Sequence, residues 1–173
     1  HLSYGMVELP DGKMKSREGK VVDADDLIQS VVEDAKKMTS ERGHLEGMSE
    51  LEKEKLYSTI GKGGLKYFLL RVDPKRKMMF NPAESIDLNG NTGPFIQYCY
   101  ARIQSILSNQ RPTTNQVSVN LSICKAELDI IKWMLSYPSV IKEAGDQLSP
   151  SIVANYTYQL VKYYNTFYQS ISI

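Results

Sequence analysis

Hydrophobic residues recur at helical spacing along most of the chain. Asp23, a residue type that caps helix N-termini, precedes an apolar run at helical spacing from Leu27 to Met38. A second helical run opens at Ser49, where Glu52 completes a capping-box pattern. The glycines of residues 61–64 predict an interruption of this run before the apolar segment 65–72 continues. Residues 1–9 and 77–80 predict short strands, and residues 82–88 predict a short helix.

From residue 92 onwards the pattern predicts helices only. The predicted helices cover 92–110, 122–136, 139–146 and 149–168, with a polar linker at 111–115. We therefore predict a mainly α fold in two parts. Residues 1–80 form a unit with a short strand, a loop and helices, and residues 81–173 form an all-helical bundle.

Charge is divided unevenly along the chain. The formal net charge is +1, with fifteen Lys/Arg and fourteen Asp/Glu in residues 1–80 and only six of each in residues 81–173. The second part is rich in tyrosine instead: Tyr98, Tyr100, Tyr137, Tyr156, Tyr158, Tyr163, Tyr164 and Tyr168. If this part binds nucleic acid, it must rely on stacking and a few well-placed cations rather than on a broad basic field.

Several classes of protein are disfavoured by the sequence. No stretch approaches the roughly 20 apolar residues needed to span a bilayer, and the first residues lack the pattern of a secretory signal. The few His and Cys residues lack zinc-site spacing, so we predict no metal site. The expected location is cytoplasmic, without membrane partners. A start at His1 rather than Met is expected of a piece of a longer chain.

A basic loop lies between a predicted strand and a predicted helix. Lys13, Lys15 and Arg17 stand between Gly12 and Gly19. Lysines on a flexible loop suit a polyphosphate whose charge shifts during a reaction. A solvated loop with incidental charge remains the alternative, because short basic loops are common.

The long helix 92–110 carries two distinct faces. Asn91, Phe95, Tyr98 and Arg102 fall within a stripe about 60° wide, and an apolar stripe centred on Cys99 lies about 100° away. An amide, two rings and a guanidinium suit unpaired bases, because rings stack and polar groups contact base edges or phosphate. The alternative is that Phe95 and Tyr98 pack inward and that Arg102 pairs with a carboxylate.

Residues 5–19 resemble the second signature loop of class I aminoacyl-tRNA synthetases, whose pattern is Lys-Met-Ser-Lys-Ser. The Arg-x-Gly ending at Arg17 is similar to the arginine-specific members. The resemblance implies that the loop closes over ATP during amino-acid activation. It implies a catalytic role for Lys13, Lys15 and Ser16, and ATP contacts for Gly5, Met6, Lys13 and Met14. Ser16 stands where the general pattern has a second lysine, and Lys15 is a hypothetical replacement for that cation.

Residues 91–102, Asn-Thr-Gly-Pro-Phe-Ile-Gln-Tyr-Cys-Tyr-Ala-Arg, are similar to the start of the anticodon-binding domain of arginyl-tRNA synthetases. Residues 63–76 resemble the region of that family that contacts the tRNA stem. The resemblance implies that Asn91, Phe95, Tyr98 and Arg102 face the anticodon loop. In the last helix, Tyr168 corresponds to a family tyrosine near that loop.

The resemblance implies part of an arginine–tRNA ligase. It assigns residues 1–80 to the end of a catalytic domain and residues 81–173 to an anticodon-binding domain that is incomplete at its C-terminus. The parent would use ATP and Mg²⁺, would act as a monomer and would bind arginine-accepting tRNA but not DNA. The isolated chain is expected to be inactive, to hold no cofactor tightly and to self-associate through exposed core surface. Two alternatives are a stand-alone tRNA-binding paralogue and a helical scaffold for protein partners.

Overall fold

The computed structural model describes residues 3–8, 23–41, 45–109 and 123–170. The strands within these residues are β1 (Val7–Glu8) and β2 (Met78–Met79). The helices are α1 (Ala24–Glu41), α2 (Glu50–Leu70), α3 (Pro82–Ser85), α4 (Gly93–Asn109), α5 (Lys125–Leu135), α6 (Tyr137–Asp146) and α7 (Pro150–Ser170). The prediction of a mainly α fold is confirmed.

The caps predicted for α1 and α2 are present. The Asp23 carboxylate accepts a hydrogen bond from the Asp25 backbone N–H at 3.1 Å, at the start of α1. The Ser49 hydroxyl accepts from the Glu52 backbone N–H, and the Glu52 carboxylate accepts from the Ser49 N–H at 2.8 Å. These side chains satisfy backbone donors that have no partner within the helix. The two helices pack against each other.

The expected interruption at residues 61–64 is wrong, because α2 runs unbroken from Glu50 to Leu70. The glycines lie at crossings with other elements. A Cβ on Gly61 would lie 2.7 Å from the Val31 carbonyl oxygen of α1, and one on Gly64 would lie 2.6 Å from the Ser85 carbonyl oxygen of α3. Tertiary packing therefore outweighs the low helix propensity of glycine here.

The core of the first half lies between α1, α2 and the strands. Its buried members are Val31, Leu65, Phe68, Phe80 and Ile86, and Val7 of β1 packs against them. The rings of Phe68 and Phe80 meet edge to face with centroids 5.1 Å apart. Burial of these side chains is the main source of stability for this unit.

The two strands form a parallel pair with Val7 opposite Met78 and Glu8 opposite Met79. The predicted strands at 1–9 and 77–80 are thus present but shorter. Just before β1, the Gly5 N–H donates to the Pro74 carbonyl oxygen at 2.6 Å. A Cβ on Gly5 would collide with the Arg76 carbonyl group, so this backbone approach requires glycine.

The short helix predicted at 82–88 ends earlier, at Ser85. Asn81 caps its start by accepting from the Ala83 backbone N–H at 3.2 Å. The helix packs against α1 and α2, so it continues the first unit. The boundary between two domains near residues 81–91 stays a prediction.

The second half is built on α4 and α7, which lie side by side and run parallel. Three contacts between them join residues of nearly constant separation: Asn91 with Asn155, Phe95 with Tyr158, and Arg102 with Asn165. Helices α5 and α6 pack against α7. Helix α6 begins at Tyr137 rather than at 139, since Pro138 is tolerated in a first turn. The linker predicted at 111–115 lies outside the described residues.

Trp133 fixes α5 against α7. Its ring stacks on Tyr156 with centroids 5.2 Å apart and an interplanar angle of 10°. The indole N–H donates to the Tyr156 carbonyl oxygen at 3.1 Å, and the Tyr156 hydroxyl donates to the Trp133 carbonyl oxygen at 3.0 Å. This reciprocal pair satisfies both polar groups of a largely buried aromatic contact.

Candidate nucleic-acid interface

Arg102 of α4 lies close to two tyrosine rings. Its guanidinium carbon is 4.8 Å from the ring centroid of Tyr98, one turn earlier on α4, and 4.7 Å from that of Tyr168 on α7. An Nη1 hydrogen is donated to the Asn165 side-chain oxygen at 3.0 Å. We call Tyr98, Arg102, Asn165 and Tyr168 the guanidinium clamp. The clamp thus brings two aromatic rings and one amide oxygen to the guanidinium, which carries five N–H donors in all.

The rings of the clamp differ in their exposure. Tyr98 is 57% exposed, whereas Tyr168 is partly buried and stacks on Tyr164 with centroids 6.2 Å apart. The alternative in which Tyr98 packs inward is therefore wrong for this ring. Among the described residues the hydrogen-bonding partner of Arg102 is an amide, not the carboxylate that the same alternative expected.

Burial affects the titration of two neighbours of the clamp. It raises the pKa of the Cys99 thiol and the pKa of the Tyr164 hydroxyl, while the Arg102 guanidinium acts in the opposite direction on both. Cys99 is buried on the core side of α4. A thiol held protonated in this way serves packing rather than reaction.

Phe95 packs against α7, as the alternative expected for this ring. Its centroid lies 5.7 Å from that of Tyr158 at an interplanar angle of 56°. The Lys162 ammonium, also on α7, lies 5.7 Å from the Tyr158 ring centroid. Phe95 thus lies beside the clamp, between α4 and α7. Its ring is partly buried and can support a base that stacks nearby.

Tyr158, Lys162 and Asn165 of α7 were not predicted from the sequence as parts of this interface. Their spacing of four and three residues places them on one helix face. The pattern of α7 alone gave no reason to prefer that face, because tyrosines occur all around this helix. The parallel packing of α4 and α7 is what selects it.

Asn91 lies at the start of α4 and is held by other side chains. Its side-chain oxygen accepts from the Tyr67 hydroxyl at 2.5 Å, and its amide nitrogen donates to the Asn155 oxygen at 3.4 Å. To read a base edge, Asn91 would have to exchange these hydrogen bonds. Its predicted tRNA contact, like those of the other interface residues, stays a prediction.

The predicted ATP loop is only partly described. Lys13, Met14, Lys15 and Ser16 lie outside the described residues. Gly5 and Met6 lie at β1, where the Met6 carbonyl oxygen accepts from the Met78 N–H at 3.1 Å. These two residues lead into the strand pair and are not part of the clamp.

The described residues offer neither a metal-binding cluster nor a membrane-spanning helix. No three His, Cys, Asp or Glu side chains gather there in a way that could hold a metal ion. None of the described helices combines the length and the apolar character needed to cross a membrane.

The fold is that of solved arginyl-tRNA synthetases. The structure superposes on the Thermus thermophilus arginyl-tRNA synthetase with a TM-score of 0.85 at 22% identity, over 99% of this chain and 28% of that one. The Plasmodium falciparum arginyl-tRNA synthetase gives a TM-score of 0.79 at 22% identity, over 98% and 28%. At this level of identity the likeness concerns the fold.

Residues 96–173 match the DALR anticodon binding domain, which places the clamp in a class of helical domains named for anticodon binding. The whole chain is 57% identical to a region of the arginine–tRNA ligase of Flavobacterium psychrophilum and 51% identical to one of Bacteroides thetaiotaomicron. The chain thus belongs to the arginyl-tRNA synthetase family and corresponds to its C-terminal region. It spans 29% and 30% of the length of these two curated relatives.

Proposed function

We propose that this chain supplies the anticodon-binding surface of an arginine–tRNA ligase through the guanidinium clamp. The exposed Tyr98 ring beside the edge of Arg102 carries the proposal. An unpaired base stacks on the outer face of Tyr98. Arg102 donates to a base edge or a phosphate with the N–H groups that Asn165 leaves available.

The clamp favours edge contacts by Arg102 over stacking by Arg102. Two tyrosine rings lie 4.8 and 4.7 Å from the guanidinium carbon, so they compete with a base for stacking on Arg102. The rings also hold the guanidinium in place before RNA arrives, which lowers the entropy lost on binding. Tyr168 acts mainly by completing this arrangement.

We propose further that residues 5–19 contribute the ATP-phosphate loop of the parent enzyme. Support comes from the signature pattern and from the strand pair that leads into it. Lys13 and Lys15 would neutralise phosphate charge, together with Mg²⁺ in the parent. The isolated chain is expected to show no arginine-dependent pyrophosphate exchange, because it spans under a third of its relatives.

The test measures binding of the chain to two RNA stem-loops across a salt series, one with an arginine anticodon and one with a changed anticodon. We expect tighter binding to the first. Tyr98→Ala should weaken it by about 1–3 kcal/mol, which is typical for loss of a base stack. Arg102→Ala should weaken it by about 1–3 kcal/mol through loss of its contact with a base edge or phosphate.

Tyr100→Ala is the matched control. Tyr100 lies two residues from Tyr98, is 64% exposed and points about 200° away around α4. Its loss should leave RNA binding unchanged. Equal, strongly salt-dependent binding to both stem-loops would mean phosphate contact only. Affinity for a protein at high salt with none for RNA would favour the scaffold alternative.

A further inference from the structure

Three helices meet at a polar junction away from the clamp. The Tyr67 hydroxyl of α2 donates to the Asn91 side-chain oxygen at 2.5 Å and lies 3.1 Å from the Ala154 carbonyl oxygen of α7. Arg71, at the end of α2, donates to the Asn91 carbonyl oxygen. The Asn155 amide of α7 donates to the Arg71 carbonyl oxygen at 3.0 Å. We call Tyr67, Arg71, Asn91 and Asn155 the helix joint.

The joint lies beside an apolar groove of about 520 Å³ between α2, α4 and α7, which is lined in part by small residues such as Gly63, Gly93 and Ala154. The backbones of α2 and α4 approach closely here, because a Cβ on Gly93 would lie 2.7 Å from the Gly63 carbonyl oxygen. Helices α2 and α4 are also joined by Gln97, whose side chain donates to the Thr59 carbonyl oxygen at 3.0 Å. The joint adds hydrogen bonds that link both α4 and α7 to α2.

The joint and the clamp lie at two positions along the same helix pair. Asn91 lies two residues before α4, and the helical stretch from Gly93 to Arg102 rises about 14 Å at 1.5 Å per residue. Asn155 precedes Asn165 by ten residues on α7. A small change of the angle between α4 and α7 at the joint thus shifts Tyr98 and Arg102 relative to Tyr168, because the displacement grows with distance from the joint.

We propose that the helix joint is a positioning device for the RNA-binding clamp, and that Asn91 acts through this joint rather than by touching RNA. The inference rests on the proposed function. Both polar groups of the Asn91 side chain already have partners in Tyr67 and Asn155. Tyr67 takes part without presenting its hydroxyl to a ligand, since that hydroxyl lies between two protein oxygens.

The test is a double-mutant cycle on the whole chain with Tyr67→Phe and Asn91→Ala. The readout is the ratio of affinities for the arginine-anticodon and changed-anticodon stem-loops, measured where every variant is folded by circular dichroism. We expect each single change to lower the ratio by about threefold to tenfold, and the double change to lower it no further.

Tyr156→Phe is the matched control, because it also removes one tyrosine hydroxyl that donates between helices, at 3.0 Å to Trp133. It should cost similar stability and leave the affinity ratio unchanged. If Asn91→Ala lowers the ratio while Tyr67→Phe does not, Asn91 contacts RNA directly and the joint is overturned. If all three variants lower it equally, general stability is responsible and the joint is again overturned. No RNA binding by the unaltered chain contradicts the proposed function itself.

Discussion

Arg102 shows why an arginine suits the clamp. The guanidinium lies close to two rings, with which it forms cation–π contacts, and it also donates a hydrogen bond to Asn165. A lysine ammonium at this position would have no planar faces for the rings of Tyr98 and Tyr168. The side chain therefore combines a structural role between two helices with a polar edge that remains usable.

Tyr67 gives a prediction about pH. Desolvation by burial is the main cause that raises the pKa of this hydroxyl to about 12, with Arg71 acting in the opposite direction. A folded-state pKa above the unfolded value of about 10 means that the native state favours the protonated form. The stability that this contributes is complete below pH 10 and is lost as the pH rises from 10 towards 12.

Urea unfolding of the chain and of Tyr67→Phe between pH 8 and 11.5 checks this. The difference in free energy of unfolding between the two proteins should shrink above about pH 10. Other tyrosines titrate in both proteins, so their contribution cancels. A difference that stays constant over the whole range would show that Tyr67 titrates normally.

At this scale the sequence predicted the α4 part of the interface from spacing alone. Phe95, Tyr98 and Arg102 do lie along one helix, and Tyr98 is exposed. The partners of Arg102 on α7 were out of reach, because they depend on which helix lies beside α4 and in which direction. Tyr168 was assigned by resemblance, not by geometry.

Helix α2 shows how packing decides an element. Residues 61–64 contain three glycines, so local propensity favours a break, yet the helix continues through them. Their missing side chains let α1, α3 and α4 approach the α2 backbone. The glycines of residues 61–64 therefore mark the points where other helices cross α2, and not the end of α2. The cap at Ser49, in contrast, is a local interaction and was predicted from local sequence.

Two glycine substitutions separate propensity from packing. Gly64→Ala should destabilise the chain by about 1–3 kcal/mol, because its Cβ would lie 2.6 Å from the Ser85 carbonyl oxygen. Gly145→Ala in α6 should stabilise it by about 0.5 kcal/mol, since nothing lies within 4 Å of its added Cβ. Urea unfolding at pH 7 measures both. A stabilising Gly64→Ala would mean that α3 withdraws from α2 at little cost.

The whole molecule exposes apolar side chains on α5. Leu128, Ile131 and Leu135 share one face of this helix, and Leu135 is 74% exposed. Exposed apolar patches of this kind promote association. If the chain self-associates, as the sequence leads us to expect, the exposed face of α5 is the surface that we expect to take part. The sequence pattern alone does not identify this surface.

We predict that the chain self-associates in a concentration-dependent manner and that Ile131→Lys with Leu135→Lys reduces this. Sedimentation velocity over a concentration series is the measurement. Leu51→Lys is the control, because Leu51 is 78% exposed on α2 and lies outside the α5 face. A strictly monomeric chain at all concentrations would contradict the prediction, and an equal effect of Leu51→Lys would place the contact elsewhere.

The parallel arrangement of α4 and α7 has a consequence for the order of folding. Parallel neighbours cannot be joined by a tight turn, so each contact between them closes a loop of 63 or 64 residues. Helices α1 and α2, by contrast, are consecutive in the chain, so their contacts close only a short loop. Loop-closure entropy thus delays the docking of α7 on α4 relative to the docking of α2 on α1. We therefore expect the contacts between α7 and α4 to open before the α1–α2 core, so that amide hydrogens of α7 exchange before those of α1 and α2.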